Sequence, residues 1–176
     1  MKNIKTILIA VLSFMLLFSV SCKNEDKTGG GSGGLNIPTA SGNPATVGNV
    51  VFAGTLNRTA LSGISEDEAN SGTAPATLTA PDSFQLEIVD SKVNAGILGA
   101  LQGIQLLSNS DAKVVEASGQ GSGDGATWAE YIKITLDDAT NPTTATVVYQ
   151  MGSSAGNITM QATYEGTLTK DTSTGS

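Results

Sequence analysis

Asn157-Ile158-Thr159-Met160-Gln161-Ala162-Thr163-Tyr164-Glu165-Gly166-Thr167-Leu168-Thr169-Lys170 alternates apolar and polar residues almost without a break. Ile158, Met160, Ala162, Tyr164, Gly166 and Leu168 share one parity, and Asn, Thr, Gln and Glu residues hold the other. Successive side chains of a β-strand point to opposite faces, so this period of two predicts a long strand with one buried face and one wet face. Strands of that kind belong to antiparallel sheets, which tolerate water on one side.

The same pattern continues upstream. Thr144 to Met151 puts Ala145, Val147, Tyr149 and Met151 on one face, and Trp128 to Asp138 does so with Ile132, Ile134 and Leu136. Short turns at Asp137–Pro142 and Gly152–Gly156 join these three runs into a predicted β-meander. Before it, Asp111 to Ala117 reads as a strand centred on Val114 and Val115, with Ser118–Gly125 as a flexible hairpin loop. Ser83 to Asp90 turns Phe84, Leu86 and Ile88 inward, and Asn49 to Asn57 does the same with Val50, Phe52 and Leu56. Turn signals recur at intervals typical of all-β proteins, so residues 49–170 are expected to form one antiparallel β-barrel or β-sandwich of about seven to eight strands. Val93 to Leu107 is the ambiguous stretch. Ile97, Leu101 and Ile104 fit a helical stripe, whereas Gly96, Gly99 and Gly103 oppose a stable helix. A short helix near 93–102, or a turn, followed by a strand near Gly103–Leu107 is the expectation.

An internal echo bears on closure. Phe52-Ala53-Gly54-Thr55-Leu56-Asn57-Arg58 and Tyr164-Glu165-Gly166-Thr167-Leu168-Thr169-Lys170 share the form aromatic-x-Gly-Thr-Leu-x-basic. An inward glycine lets a strand coil sharply, so these two segments are expected as neighbours across a closing sheet.

The residue inventory limits the chemistry. The chain has 176 residues with 9 basic and 16 acidic side chains, one cysteine and no histidine. Such an acidic surface argues against nucleic acid, which needs clustered Lys and Arg. The missing histidines and the single thiol remove zinc sites, Cys-His pairs and Ser-His-Asp triads. The acids fall mostly in turns or on polar strand faces, including Glu66, Asp67 and Glu68 in a solvated loop at Ser65–Gly72. No catalytic residue, metal site or cofactor is expected, and the chain reads as a non-enzyme.

The N-terminus carries an address. Lys2 and Lys5 precede the apolar run Ile7 to Val20, which at 14 residues is too short for the ~20 a membrane-crossing helix needs. It ends at Ser21-Cys22 and gives way to Lys23-Asn24-Glu25-Asp26-Lys27, the order of an export signal over residues 1–21. Ser19-Val20-Ser21-Cys22 resembles the lipobox of bacterial lipoproteins, in the relaxed form of spirochaetes and some Bacteroidota, with Ser where Leu is usual. The resemblance implies lipidation of Cys22, cleavage before it, and anchoring in the cell envelope. The residues after Cys22 are similar to signals that send lipoproteins to the outer membrane, on its periplasmic or surface-exposed leaflet. Residues 22–48, with Gly29-Gly30-Gly31-Ser32-Gly33-Gly34, are expected as a flexible lipid-attached tether, and residues 171–176 as a disordered tail.

Two functions fit this frame. One is an anchored, acidic β-domain presented to a protein partner or to the environment. The other is a carrier of a small hydrophobic or amphiphilic ligand, with weak similarity to lipocalin-like lipoproteins, since the first strand has Gly54-Thr55-Leu56 where lipocalins have Gly-x-Trp. Candidate ligand-binding residues are Trp128 and Glu130. Glu130 shares parity with Ile132 and Ile134, so it either points inward as part of a pocket rim or lies in solvent at a frayed strand start. Inward residues such as Val50, Phe52, Leu86, Ile132, Met160 and Leu168 would largely fill a barrel interior.

Overall fold

The computed structural model describes residues 35–63, 83–156 and 158–173. The signal segment, Cys22, the tether as far as residue 34, the loop Ser65–Gly72 and the last three residues of the tail lie outside that range. The described residues form eleven strands: β1 (Asn43–Pro44), β2 (Val50–Gly54), β3 (Asn57–Ser62), β4 (Phe84–Val89), β5 (Lys92–Asn94), β6 (Ile104–Gln105), β7 (Leu107–Ser108), β8 (Val114–Gly123), β9 (Ala126–Leu136), β10 (Thr144–Ala155) and β11 (Ile158–Lys170). They make one sheet in the order β1-β7-β8-β9-β10-β11-β2-β4-β5-β6, with β3 also paired to β11.

The meander forms the long wall of this sheet. β9 and β10 pair without a slip from Ala145↔Leu136 to Ala155↔Ala126, and β10 and β11 from Thr144↔Thr169 to Ala155↔Ile158. Alternation sets the burial: Ala145, Val147, Tyr149 and Met151 of β10 are buried and Thr146 is exposed. The echoed segments are neighbours. Thr169 and Lys170 pair with Ala53 and Phe52, and Tyr164 and Glu165 pair with Arg58 and Asn57. At this corner a Cβ on Gly54 would sit 3.0 Å from Leu168 Cδ2, and one on Gly166 2.5 Å from Thr55 O. The glycines allow the two strands to close on each other where β2 breaks and resumes as β3.

The sheet rolls into a nearly closed barrel rather than a sandwich. Ile104 of β6 pairs with Val93 of β5, while Leu107 of β7 pairs with Glu116 of β8, so the short stretch 104–108 serves both neighbours. Leu106, between its halves, donates its N–H to Ser91 O and accepts from Ala45 N. The strand number exceeds the expected seven or eight because chain passes break at Thr55–Leu56 and at Leu106, and because β1 is added at the edge. Inside, Phe52, Leu56, Leu86, Ile88, Leu101, Leu106, Ile132, Ile134, Tyr149, Tyr164 and Leu168 are fully buried in one core. Burying side chains of this size is worth about 1.5–3 kcal/mol each before chain entropy is counted.

Three expectations change. No helix forms near 93–102: Gly96, Gly99 and Gly103 have φ of +91°, +79° and +70°, a left-handed backbone that ends a right-handed helix. Ser118–Gly125 is not a loop. β8 runs on to Gly123, and only Asp124 and Gly125, with φ of +50° and +78°, make the two-residue turn into β9. Both residues at positive φ are what a tight hairpin of matching twist requires. Finally, the last part of the expected tether is bound to the barrel. Leu35 and Ile37 rest on Gly152, Ala40 N–H donates to Ser118 Oγ at 3.0 Å, Asn43 and Pro44 pair with Ser108 and Leu107, and Val47 N–H donates to Ser91 Oγ at 3.0 Å. Residues 35–48 are therefore a strap crossing the outside of β10, β9, β8 and β7.

Candidate functional site

The inward glycines of β8 shape one end of the barrel. Gly119 and Gly121 share parity with buried Val115 and Ala117, and each leaves room for something to lie on the sheet. A Cβ on Gly119 would meet Ala100 O at 1.9 Å, and one on Gly121 would meet the Trp128 ring at 2.5 Å. The segment 95–101 occupies the first of these spaces and Trp128 covers the second. Ala95, Leu98, Ala100 and Leu101 are buried. The segment that was ambiguous in sequence is thus an apolar plug folded into the barrel end.

Glu130 holds the plug. Its side chain is fully buried, facing the interior from β9. One carboxylate oxygen accepts the N–H groups of Ile97 at 2.7 Å and Leu98 at 2.8 Å together with the Tyr149 hydroxyl; the other accepts the Ala100 N–H at 2.6 Å. Ile97 N–H also reaches Tyr149 Oη at 2.9 Å. Gly96 is required beside it, because a Cβ there would lie 2.5 Å from Glu130 Oε1. Burial and the adjacent Glu130 carboxylate push the Tyr149 phenol well above its ordinary value, so it serves as a neutral donor. Phe84 and Tyr164 pack on the Tyr149 ring at centroid distances of 5.5 and 5.9 Å.

A buried carboxylate normally needs a cation or several strong donors. Here four donors fill about as many acceptor positions as a carboxylate has. With its acceptor positions occupied, Glu130 fastens the plug. No group of three or more His, Cys, Asp or Glu stands together among the described residues.

Of the two candidate ligand-binding residues, both lie at this end. Trp128 is half-buried against the core and turned onto Gly121 and Gly123; Glu130 is the deeper and is closed off by the plug. Cys22, the expected lipidation site, lies outside the described residues. The part of the site not visible in the sequence is Tyr149, expected only as an inward core residue, and the three backbone amides of the plug. A parity argument finds Tyr149, but backbone donors leave no side-chain signal.

No protein family, curated relative or solved structure matches this chain.

Among the described residues the exterior carries shallow grooves. One of about 230 Å³ lies between the strap at Asn36 and Ile37 and the strands β3, β10 and β11; another of about 230 Å³ lies between Leu107, Asn109, Glu116 and Lys133. Next to the second, Tyr131 is pushed up to about 12 by burial and by the Glu116 carboxylate. At the opposite end from the plug, the β9–β10 turn is organised by Asp137. It accepts from the amides of Asp138, Thr143 and Thr144 and from the Thr143 hydroxyl, which holds its carboxyl well below the usual range.

Proposed function

We propose that the protein is a lipid-anchored lipoprotein of the bacterial cell envelope, held at the outer membrane through Cys22, whose β-barrel acts through its outer surface on a protein partner or the surroundings and carries out no catalysis. The anchor rests on the order Lys2, Lys5, Ile7–Val20, Ser21-Cys22 in the sequence. The outward-acting part rests on one observation, the plug: the barrel end is stopped by a loop fastened to Glu130 through four hydrogen bonds. A carrier of hydrophobic ligand would have to displace that plug.

Cys22→Ser should release the protein from membranes and stop palmitate incorporation; retention in the membrane fraction without Cys22 would overturn the anchor. A thermal-shift series with fatty acids and hydrophobic dyes separates the two roles. Saturable stabilisation would favour the carrier, because a ligand that binds only the folded state raises its melting temperature with concentration.

A further inference from the structure

We propose that the groove between the strap and strands β3, β10 and β11 is a binding site for one sugar residue of a neutral saccharide chain. The inference gives the outward-acting surface of the proposed function a ligand class and rests on that part of it, not on the lipid anchor.

The groove, of about 230 Å³, exists because the strap supplies one wall of it. Ile37 seats on Gly152, its Cγ1 3.0 Å from where a Cβ would lie, and this sets Ile37 and Asn36 along one side. Gln150, Gln161 and Thr163 stand on the floor, at outward positions of β10 and β11 that alternate with buried core residues. Gln150 is paired with Thr163 across the ladder, and Gln161 lies opposite Gly152 on one side and Ser62 of β3 on the other. All three are half-buried, yet none of these side chains is hydrogen-bonded among the described residues. An amide offers two donors and an acceptor, and a hydroxyl both donates and accepts. The floor therefore presents neighbouring groups of both kinds that the fold itself does not use, and a ligand that excludes water from them must replace those bonds.

The lining selects the ligand. Among the described residues that line the groove there is no Asp, Glu, Lys or Arg, so a charged ligand finds no counter-charge, and the net charge of −7 repels anions in particular. An aliphatic chain would strip water from two amides and a hydroxyl without replacing its bonds. An extended peptide gains affinity by adding a strand to an open sheet edge, and the floor offers none: β10 is bonded to β9 and β11, and β11 to β10 and β3. A sugar ring meets each condition, with hydroxyls that donate and accept for Gln150, Gln161 and Thr163 and apolar C–H groups for Ile37. At about 230 Å³ the groove is smaller than the ~300–1,000 Å³ of sites for drug-sized molecules, so it takes a single ring of a longer chain.

The test titrates the full chain in lipid nanodiscs by saturation-transfer difference NMR. The probes are neutral hexasaccharides of glucose, mannose and xylose, with oligogalacturonate as the anionic counterpart and a Gly/Ser/Thr peptide as a polymer of another class. At least one neutral hexasaccharide should saturate, and Gln150→Leu and Gln161→Leu should each weaken it about two- to tenfold, as loss of one hydrogen bond does. Both substitutions nearly keep the side-chain volume and remove no side-chain bond of the fold, so an unchanged melting temperature marks the loss as one of ligand contact. Saturation by none of the neutral saccharides overturns the site, as does binding that both leucine variants retain in full. Tighter binding of oligogalacturonate or of the peptide overturns the ligand class. Saturable thermal stabilisation by a fatty acid in the same preparation would count against the outward-acting reading itself, whereas failure of the saccharides without it sinks the groove alone.

Discussion

Replacing Glu130 by glutamine tests whether one carboxylate holds the plug. The substitution preserves shape but turns one acceptor oxygen into an amino group. Whichever way the amide is turned, that group faces N–H or O–H donors: Ala100 on one side, or Ile97, Leu98 and Tyr149 on the other. The less damaging orientation sets the amide nitrogen against Ala100 and leaves a single buried donor without a partner, which costs about 1–3 kcal/mol. Glu130→Ala removes both oxygens. Ile97 N–H keeps Tyr149 Oη, so the amides of Leu98 and Ala100 and the Tyr149 hydroxyl are the groups orphaned, and the cost rises to about 3–5 kcal/mol. That is a large share of the stability of a typical domain, at about 5–15 kcal/mol, so the plug should detach locally before the barrel unfolds. Urea denaturation gives the global figure, and amide hydrogen exchange locates the loss. Exchange should accelerate at Leu98 and Ala100 while the β10–β11 ladder stays protected. Gly96→Ala, which drives a Cβ into Glu130 Oε1, should reproduce the pattern, and the double variant with Glu130→Gln should cost less than the sum because both break one assembly. A Glu130→Gln protein within about 0.5 kcal/mol of the parent, with unchanged exchange in the plug, would refute the fastening role.

Two further outcomes follow from the barrel walls. All three tyrosines are raised above their ordinary value, Tyr131 and Tyr164 to about 12 and Tyr149 well above that ordinary value, chiefly by burial. A folded-state value above the unfolded one gives stability that is complete below pH ~10 and is lost as pH rises through the folded values. Tyrosinate absorbance should therefore appear together with loss of the β-sheet circular dichroism signal; free titration near pH ~10 in a folded protein would contradict the burial. Gly121→Val places a side chain where the ring of Trp128, the single tryptophan, now lies. Its emission should move to longer wavelength and stability should fall by about 1–3 kcal/mol from overpacking, and an unshifted spectrum would show that the ring does not depend on that glycine.

The meander was legible because Ile132, Ile134, Val147, Tyr149, Met160 and Leu168 alternate over long runs, and a two-residue period has one reading at that length. The neighbouring placement of the two Gly-Thr-Leu segments could be read as well, since an inward glycine in each has a steric purpose. The Gly-rich run 118–125 misled for a physical reason. Glycine there serves close approach by Ala100 and Trp128 inside a strand, and composition does not distinguish that use from a loose turn. Leu35 and Ile37 gave a similar problem, as two apolar residues after a glycine tract carry no period, and only Gly152, far along the chain, explains what they touch. At the site, the parity of Glu130 with Ile132 and Ile134 raised the inward orientation. Its partners remained hidden because they are backbone amides of a segment whose own conformation was undecided.

The strap has a mechanical side. If the protein is held by its N-terminus, any pull from a bound partner enters the barrel at Leu35. The load then meets small attachments one after another: two side chains on Gly152, one bond to Ser118, the two-residue β1 on β7, and one bond to Ser91. These peel in sequence, whereas the β10–β11 ladder, in register from Thr144↔Thr169 to Ala155↔Ile158, is bonded along its whole length. Each released attachment lengthens the leash. Under such a load the attachments of the strap would give way before the β10–β11 ladder does.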